Sequence, residues 1–131
     1  MLTEKDYCDY ETCVALKEMG YKGMSRYYYT QRDHKLHYDT YNKFYTVRTA
    51  DAMGYVLAIH LYEAQKFLRE EKGMLLQPTY LELSDEWICV LRDKNKRHGY
   101  SAQKQKHYEE ALSEGVRASI KILQDEQKEN N

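Results

Sequence analysis

Cysteine is scarce in this chain. Cys8, Cys13 and Cys89 form an odd, widely spaced set, which argues against the disulfide framework of a small secreted domain and for a reducing cytosol. Long apolar runs are missing too. The longest, residues 55–59, falls far short of the ~20 residues a membrane-spanning helix needs. The first residues show no basic start followed by an apolar run, so no secretory signal is read there. Neither sign of charge is in excess. Lys and Arg number 20 against 21 Asp and Glu, a formal net charge of −1, and such a balance steers neither nucleic acid nor a membrane strongly. There is no Gly-rich phosphate loop, no G-x-S-x-G and no H-E-x-x-H. Together these absences read as a soluble cytoplasmic protein with no membrane partner and no expected cofactor.

Tyrosine is what the chain has instead. It supplies 14 aromatics, against two Phe and one Trp. A tyrosine buries its ring while keeping its hydroxyl wet or hydrogen-bonded, so much of the apolar area belongs at half-buried positions. A length of 131 residues suits one domain that buries roughly two-thirds of its unfolded surface. The expected ordered core covers about residues 7–124, with 125–131, which lack any apolar side chain, fraying.

The dipeptide Tyr-Glu recurs at Tyr10-Glu11, Tyr62-Glu63 and Tyr108-Glu109, each opening a helix-like stretch. Asp9 is a candidate N-cap for the first helix, and Gly20 suits its left-handed C-terminal position. Residues 24–31 and 36–41 read as strands, joined by the polar turn 32–35. Phe44 to Arg48 extends the sheet, and 49–54 reads as a loop. A second helix is expected from about Leu61 to Lys72, ended by Gly73. Two more strands follow. One covers Leu75 to Leu83 and is placed at an edge or bulge by Pro78, which has no N–H to donate. The other is centred on Trp87 to Leu91. Residues 92–106 read as a polar loop. The closing helix starts near His107, with Tyr108, Ala111, Leu112, Val116, Ser119, Ile120 and Leu123 facing inward, and Glu109 and Glu110 suit its positive end. The fold class is therefore α+β, in the order α-β-β-α-β-β-α, with a mainly antiparallel sheet covered by helices. A helix-strand-strand unit is used twice.

These segments resemble a set of small α+β proteins of bacterial chromosomes and prophages. The likeness runs through Asp9-Tyr10-Glu11 to Gly20-Tyr21, through Leu61-Tyr62-Glu63-Ala64 to Phe67-Leu68-Arg69-Glu70, and through Tyr108-Glu109-Glu110-Ala111-Leu112 to Gly115-Val116. It covers most of residues 9–124. That family often carries a proline just before the middle helix, where this chain has Ala58-Ile59-His60. The resemblance implies a fold and a mobile-element setting, and no activity.

Two surfaces are candidates for contact. Residues 92–107 hold Arg92, Lys94, Lys96, Arg97, Lys104 and Lys106 against Asp93 alone. Acidic segments flank them, so the neutral average hides a basic loop fit for phosphate or nucleic acid, with the start of the last helix adding partial positive charge. The order helix, strand, strand, basic loop, helix also resembles that of double-stranded-RNA-binding domains, whose last helix begins with phosphate-gripping lysines. That fold needs a third strand after Asp93, and the sequence shows none. The second surface is tyrosine: Tyr27, Tyr28 and Tyr29 in one strand, with Tyr38, Tyr41 and Tyr45 near it. Alternation sends Tyr28 to one face and Tyr27 and Tyr29 to the other.

The reactive residues are weaker candidates. Cys8, Cys13, His34 and His37 are one conceivable zinc set, but five residues apart on a helix place the two thiols about 140° apart around the axis, one in the core and one exposed. Cys89 reads as a packed, inert thiol. His60 reads as a helix cap or a satisfied half-buried residue, and a pocket grouping it with a carboxylate would favour an enzyme. The expectation is a non-enzymatic accessory protein that binds a partner protein or a second copy of itself through its tyrosines. The alternative is a nucleic-acid-binding accessory protein using the basic loop.

Overall fold

A computed structural model describes residues 4–41, 43–94, 99–101 and 103–129, so Lys96 and Arg97 of the basic loop lie outside the described residues. The fold is α+β with antiparallel sheets, and among the described residues no helix is long and apolar enough to cross a membrane. The chain forms two compact units, Met1–Glu63 and Ala64–Asn131.

In the first unit, α1 spans Tyr10–Glu18. The Asp9 carboxylate accepts the Thr12 N–H at 2.8 Å, satisfying one of the donors a helix start leaves open. At the other end Gly20 adopts φ +102°. It donates to the Lys17 carbonyl while Tyr21 donates to that of Leu16, both at 3.0 Å, which is the Schellman closure. The tyrosine-rich segment splits into β1 (Met24–Ser25) and β2 (Tyr27–Thr30), followed by β3 (Leu36–Tyr38) and β4 (Tyr45–Thr46).

The stretch expected to extend the sheet and then loop is instead β4 and a short helix, α2 (Val47–Ala52). Val47 and Thr49 disfavour helix locally, but Thr46 and Thr49 form a reciprocal capping box. The 55–59 apolar run supplies β5 (Tyr55–Leu57). Strands β3, β2 and β5 form one antiparallel sheet in that order, and β1 pairs with β4 in another.

Helix α3 (Leu61–Lys72) has the expected bounds, with Gly73 beyond its end at φ +68°. The second unit continues with β6 (Met74–Leu81), β7 (Glu86–Asp93), β8 (Gly99–Ser101) and α4 (Tyr108–Glu129). Helix then antiparallel hairpin thus occurs twice, as α1-β2-β3 and α3-β6-β7, but the two hairpins belong to separate sheets. Pro78 sits on β6, an edge strand, as its missing N–H requires.

Two expectations are corrected here. Residues 92–106 are not simply a loop, because β8 pairs with β7 through Val90↔Ser101, Leu91↔Tyr100 and Arg92↔Gly99. Its Gly, Tyr and Ser carry no apolar alternation, so no strand pattern was visible. Helix α4 also continues to Glu129 despite its polar end. Its inner face buries Ala111, Leu112, Val116 and Ile120 and packs on β6 and β7, whose own core residues include Met74, Leu76, Cys89 and Leu91.

Candidate interaction surface

The side chains of the tyrosine sheet divide by register. Tyr27 pairs with Tyr38, and Tyr29 with Leu36 and Val56, on one face. Tyr28 pairs with His37 and Leu57 on the other. The second face is closed by its own rings. Tyr28 stacks on Tyr55 with centroids 4.1 Å apart and meets Tyr45 edge-on at 5.5 Å. His37 lies nearly parallel to it at 5.7 Å. Burial raises the Tyr28 hydroxyl's pKa, with Tyr55 adding to the shift.

On the first face, Tyr29 is buried, and its hydroxyl donates to the Cys8 carbonyl at 2.6 Å. Tyr29 therefore does not belong to an open surface, contrary to the tyrosine-strand expectation. The two other central tyrosines differ as well: Tyr28 is held in its ring cluster, and Tyr27 alone leads outward.

From Tyr27 a ribbon of rings runs in both directions. Tyr38 lies 6.1 Å away on one side and Tyr7 4.9 Å away on the other. Tyr7 bridges to His60 as an isolated β-pair, their rings edge-to-face at 5.4 Å. His60 in turn lies 5.1 Å from Tyr62. All four spacings fall in the range in which aromatic pairs attract. The ends of the ribbon are open to solvent, Tyr38 at 60% and Tyr62 at 51% exposure, while Tyr7 is buried. Burial, reinforced by Tyr27, pushes the Tyr7 hydroxyl up to about 12. Tyr41, the fifth tyrosine of the expected surface, is 90% exposed.

A pocket of about 330 Å³ lies along this ribbon, lined by Tyr7, Tyr27 and His60 together with Met24, Phe44, Arg26 and Glu63 among others. Met24 and Phe44 are exposed apolar side chains, and the Arg26 guanidinium sits 5.9 Å over the Phe44 ring, a cation–π arrangement. The pocket thus groups His60 with a carboxylate. The imidazole, however, is engaged: its Nδ1 accepts the Tyr62 N–H at 3.2 Å, capping α3 as the sequence suggested. In the neutral ring the proton is then on Nε2, which makes the free nitrogen a donor and not a base. The nearby Ser25 hydroxyl accepts the Tyr27 N–H at 3.0 Å.

The zinc candidates do not converge. Cys8 and Cys13 are both buried, which corrects the expectation that one is exposed. The Cys13 thiol points back to the Cys8 carbonyl at 3.5 Å, and His34 stacks on Tyr10 at 3.7 Å. His37 pairs with Asp33. Among the described residues no group of three His, Cys, Asp or Glu is placed to hold a metal ion. Cys89 is fully buried, and burial raises its thiol to about 11.

The described members of the basic set, Arg92, Lys94, Lys104 and Lys106, are all exposed. They do not gather. Gln105 exchanges both backbone hydrogen bonds with Trp87, at 2.6 and 2.7 Å, while Arg92 stands opposite Gly99. The return of the chain along β7 places Lys104 and Lys106 at one end of that strand and Arg92 and Lys94 at the other, about 17 Å apart at strand rise.

No family model matches this chain, and no curated protein or solved structure matches it significantly.

Proposed function

We propose that the protein is a non-enzymatic binding module whose contact surface is the Tyr38-Tyr27-Tyr7-His60-Tyr62 ribbon with its flanking Met24 and Phe44, and that its occupant is a second copy of the chain. The observation that carries this reading is the continuity of the rings, which are anchored at Tyr7 and open at both ends. Tyrosine is enriched at protein interfaces because it brings large rigid area with a polar tip. Strand β3, which carries Tyr38, is an edge strand, so its outer backbone groups are open to a further strand. The Met1–Glu63 unit carries eight basic and nine acidic residues, so two copies approach without long-range repulsion. Light scattering over a concentration series tests this: the mass rises with concentration in the wild type and stays at one chain in Tyr38→Ser/Tyr62→Ser.

One observation favours a second reading. With β8, the run α3-β6-β7-β8-α4 has the element order of double-stranded-RNA-binding domains, whose missing strand had counted against it. The separated basic residues weigh the other way. Gel shifts with duplex RNA at low salt separate the readings, since phosphate contacts steepen the salt dependence. A shift abolished by Lys104→Gln/Lys106→Gln would favour RNA.

A further inference from the structure

A second pocket of the first unit, about 480 Å³ in volume, opens between the end of α1 and the start of α2 and does not include the ribbon. Its charge is one-sided: Lys17, Lys22 and Arg48 line it, with Asp51 the one acid. Asp51 is already ion-paired to Lys17 at 3.1 Å. Lys22 and Arg48 are exposed, and among the described residues neither makes an ion pair, a hydrogen bond or a ring contact. Two unpaired cations converging on one concavity raise the local concentration of anions there. The walls are not polar to match. The Tyr21 ring, only 6% exposed, and Val47 form an apolar lining.

Tyr21 is also fixed. The Schellman closure of α1 holds its backbone, and its ring lies so close to Gly23 that a Cβ there would come within 2.1 Å of the Tyr21 hydroxyl. The pocket's size falls in the range of small-molecule sites, which combine apolar walls with a few polar groups that fix orientation.

We infer that this pocket binds a small phosphate monoester carried on a flat apolar body, with the phosphate between Lys22 and Arg48 and the body against Tyr21 and Val47. Two unpaired positive charges match a monoester, which carries between one and two negative charges near neutral pH. An arginine fork and a lysine point charge are the two usual phosphate partners. An extended nucleic acid backbone is a poorer match, because the basic groups surround one concavity and do not form a track.

The experiment is a heteronuclear NMR titration of the whole chain at low salt with phenyl phosphate, inorganic phosphate and phenol as separate probes, repeated in Lys22→Gln/Arg48→Gln. Both side chains are solvent-exposed, so the variant keeps the fold, as its undisturbed spectrum away from the pocket will show. Phenyl phosphate is expected to shift the amides around Gly20 to Lys22 and Thr46 to Arg48 saturably, and more tightly than either fragment. The variant is expected to bind it at least roughly tenfold more weakly, the loss of charge-assisted hydrogen bonds. The inference is overturned by an absence of saturable shifts, by equal binding in the variant, or by inorganic phosphate binding as tightly as the phenyl ester. None of these outcomes bears on the ribbon.

Discussion

Gly115 of α4 lies directly over Cys89 of β7: a Cβ placed on Gly115 would meet the Cys89 Sγ at 2.3 Å and its Cβ at 2.9 Å. The helix approaches the strand this closely because one residue has no side chain. Gly115→Ala gains helix propensity, about 1 kcal/mol in its favour, but overpacks a rigid strand residue, which typically costs about 1–3 kcal/mol. We expect net destabilisation in urea melts. Cys89→Gly, which removes both clashing atoms, is expected to make the same alanine stabilising in its background.

The buried Tyr29 hydroxyl ties β2 to the segment before α1 through the Cys8 carbonyl. Tyr29→Phe keeps the ring and removes the donor. The carbonyl retains a weak contact from the Cys13 thiol at 3.5 Å, so the loss is expected at about 1 kcal/mol, read as a lower urea midpoint with an unchanged m-value.

Stability is expected to fall in alkali. Burial pushes the Tyr7 and Tyr21 hydroxyls from 10.0 up to about 12, with Glu63 adding to the shift at Tyr21, and burial raises Cys89 from 9.0 to about 11. Each group holds its proton more tightly when folded. Its contribution is therefore complete below the unfolded value and is lost as pH rises through the folded one. The urea midpoint should be flat up to about pH 9 and decline between about 9 and 12, and Tyr21→Phe should flatten part of that decline.

At the acid end, the Thr30 hydroxyl, with the Lys35 N–H and His37, holds the exposed Asp33 carboxyl down at about 2 from 3.8. A carboxylate of this kind stabilises above its unfolded value, and that contribution disappears as pH falls through the folded one. The Asp33 carboxyl resonance should titrate with a midpoint near 2, and Thr30→Val should move the midpoint up towards the ordinary value.

Much of the architecture was legible because its signals are local. Asp9 and Gly20 bound α1, Gly73 ends α3, and Pro78 marks the edge strand. Helix α2 and strand β8 were not legible. The first is six residues held by a Thr-Thr capping box, and the second is a Gly-Tyr-Ser strand defined by its partner β7. The surface was read only in part. Tyr27 and Tyr38 belong to it, but strand alternation could not show that Tyr29 is claimed by Cys8 or that Tyr28 is closed off by Tyr55. Tyr7, His60 and Tyr62 were missed because they are far apart in sequence and meet through the isolated Tyr7–His60 bridge and the start of α3.

Sedimentation velocity on the full chain over a hundredfold concentration range, beside Tyr38→Ser/Tyr62→Ser, tests the ribbon most directly. The account predicts a reversible shift of the wild type towards dimer, weakened at least roughly tenfold in the variant as two aromatic anchors are lost. A wild type that sediments as a single monomeric species throughout, or a variant that associates as the wild type does, would contradict it.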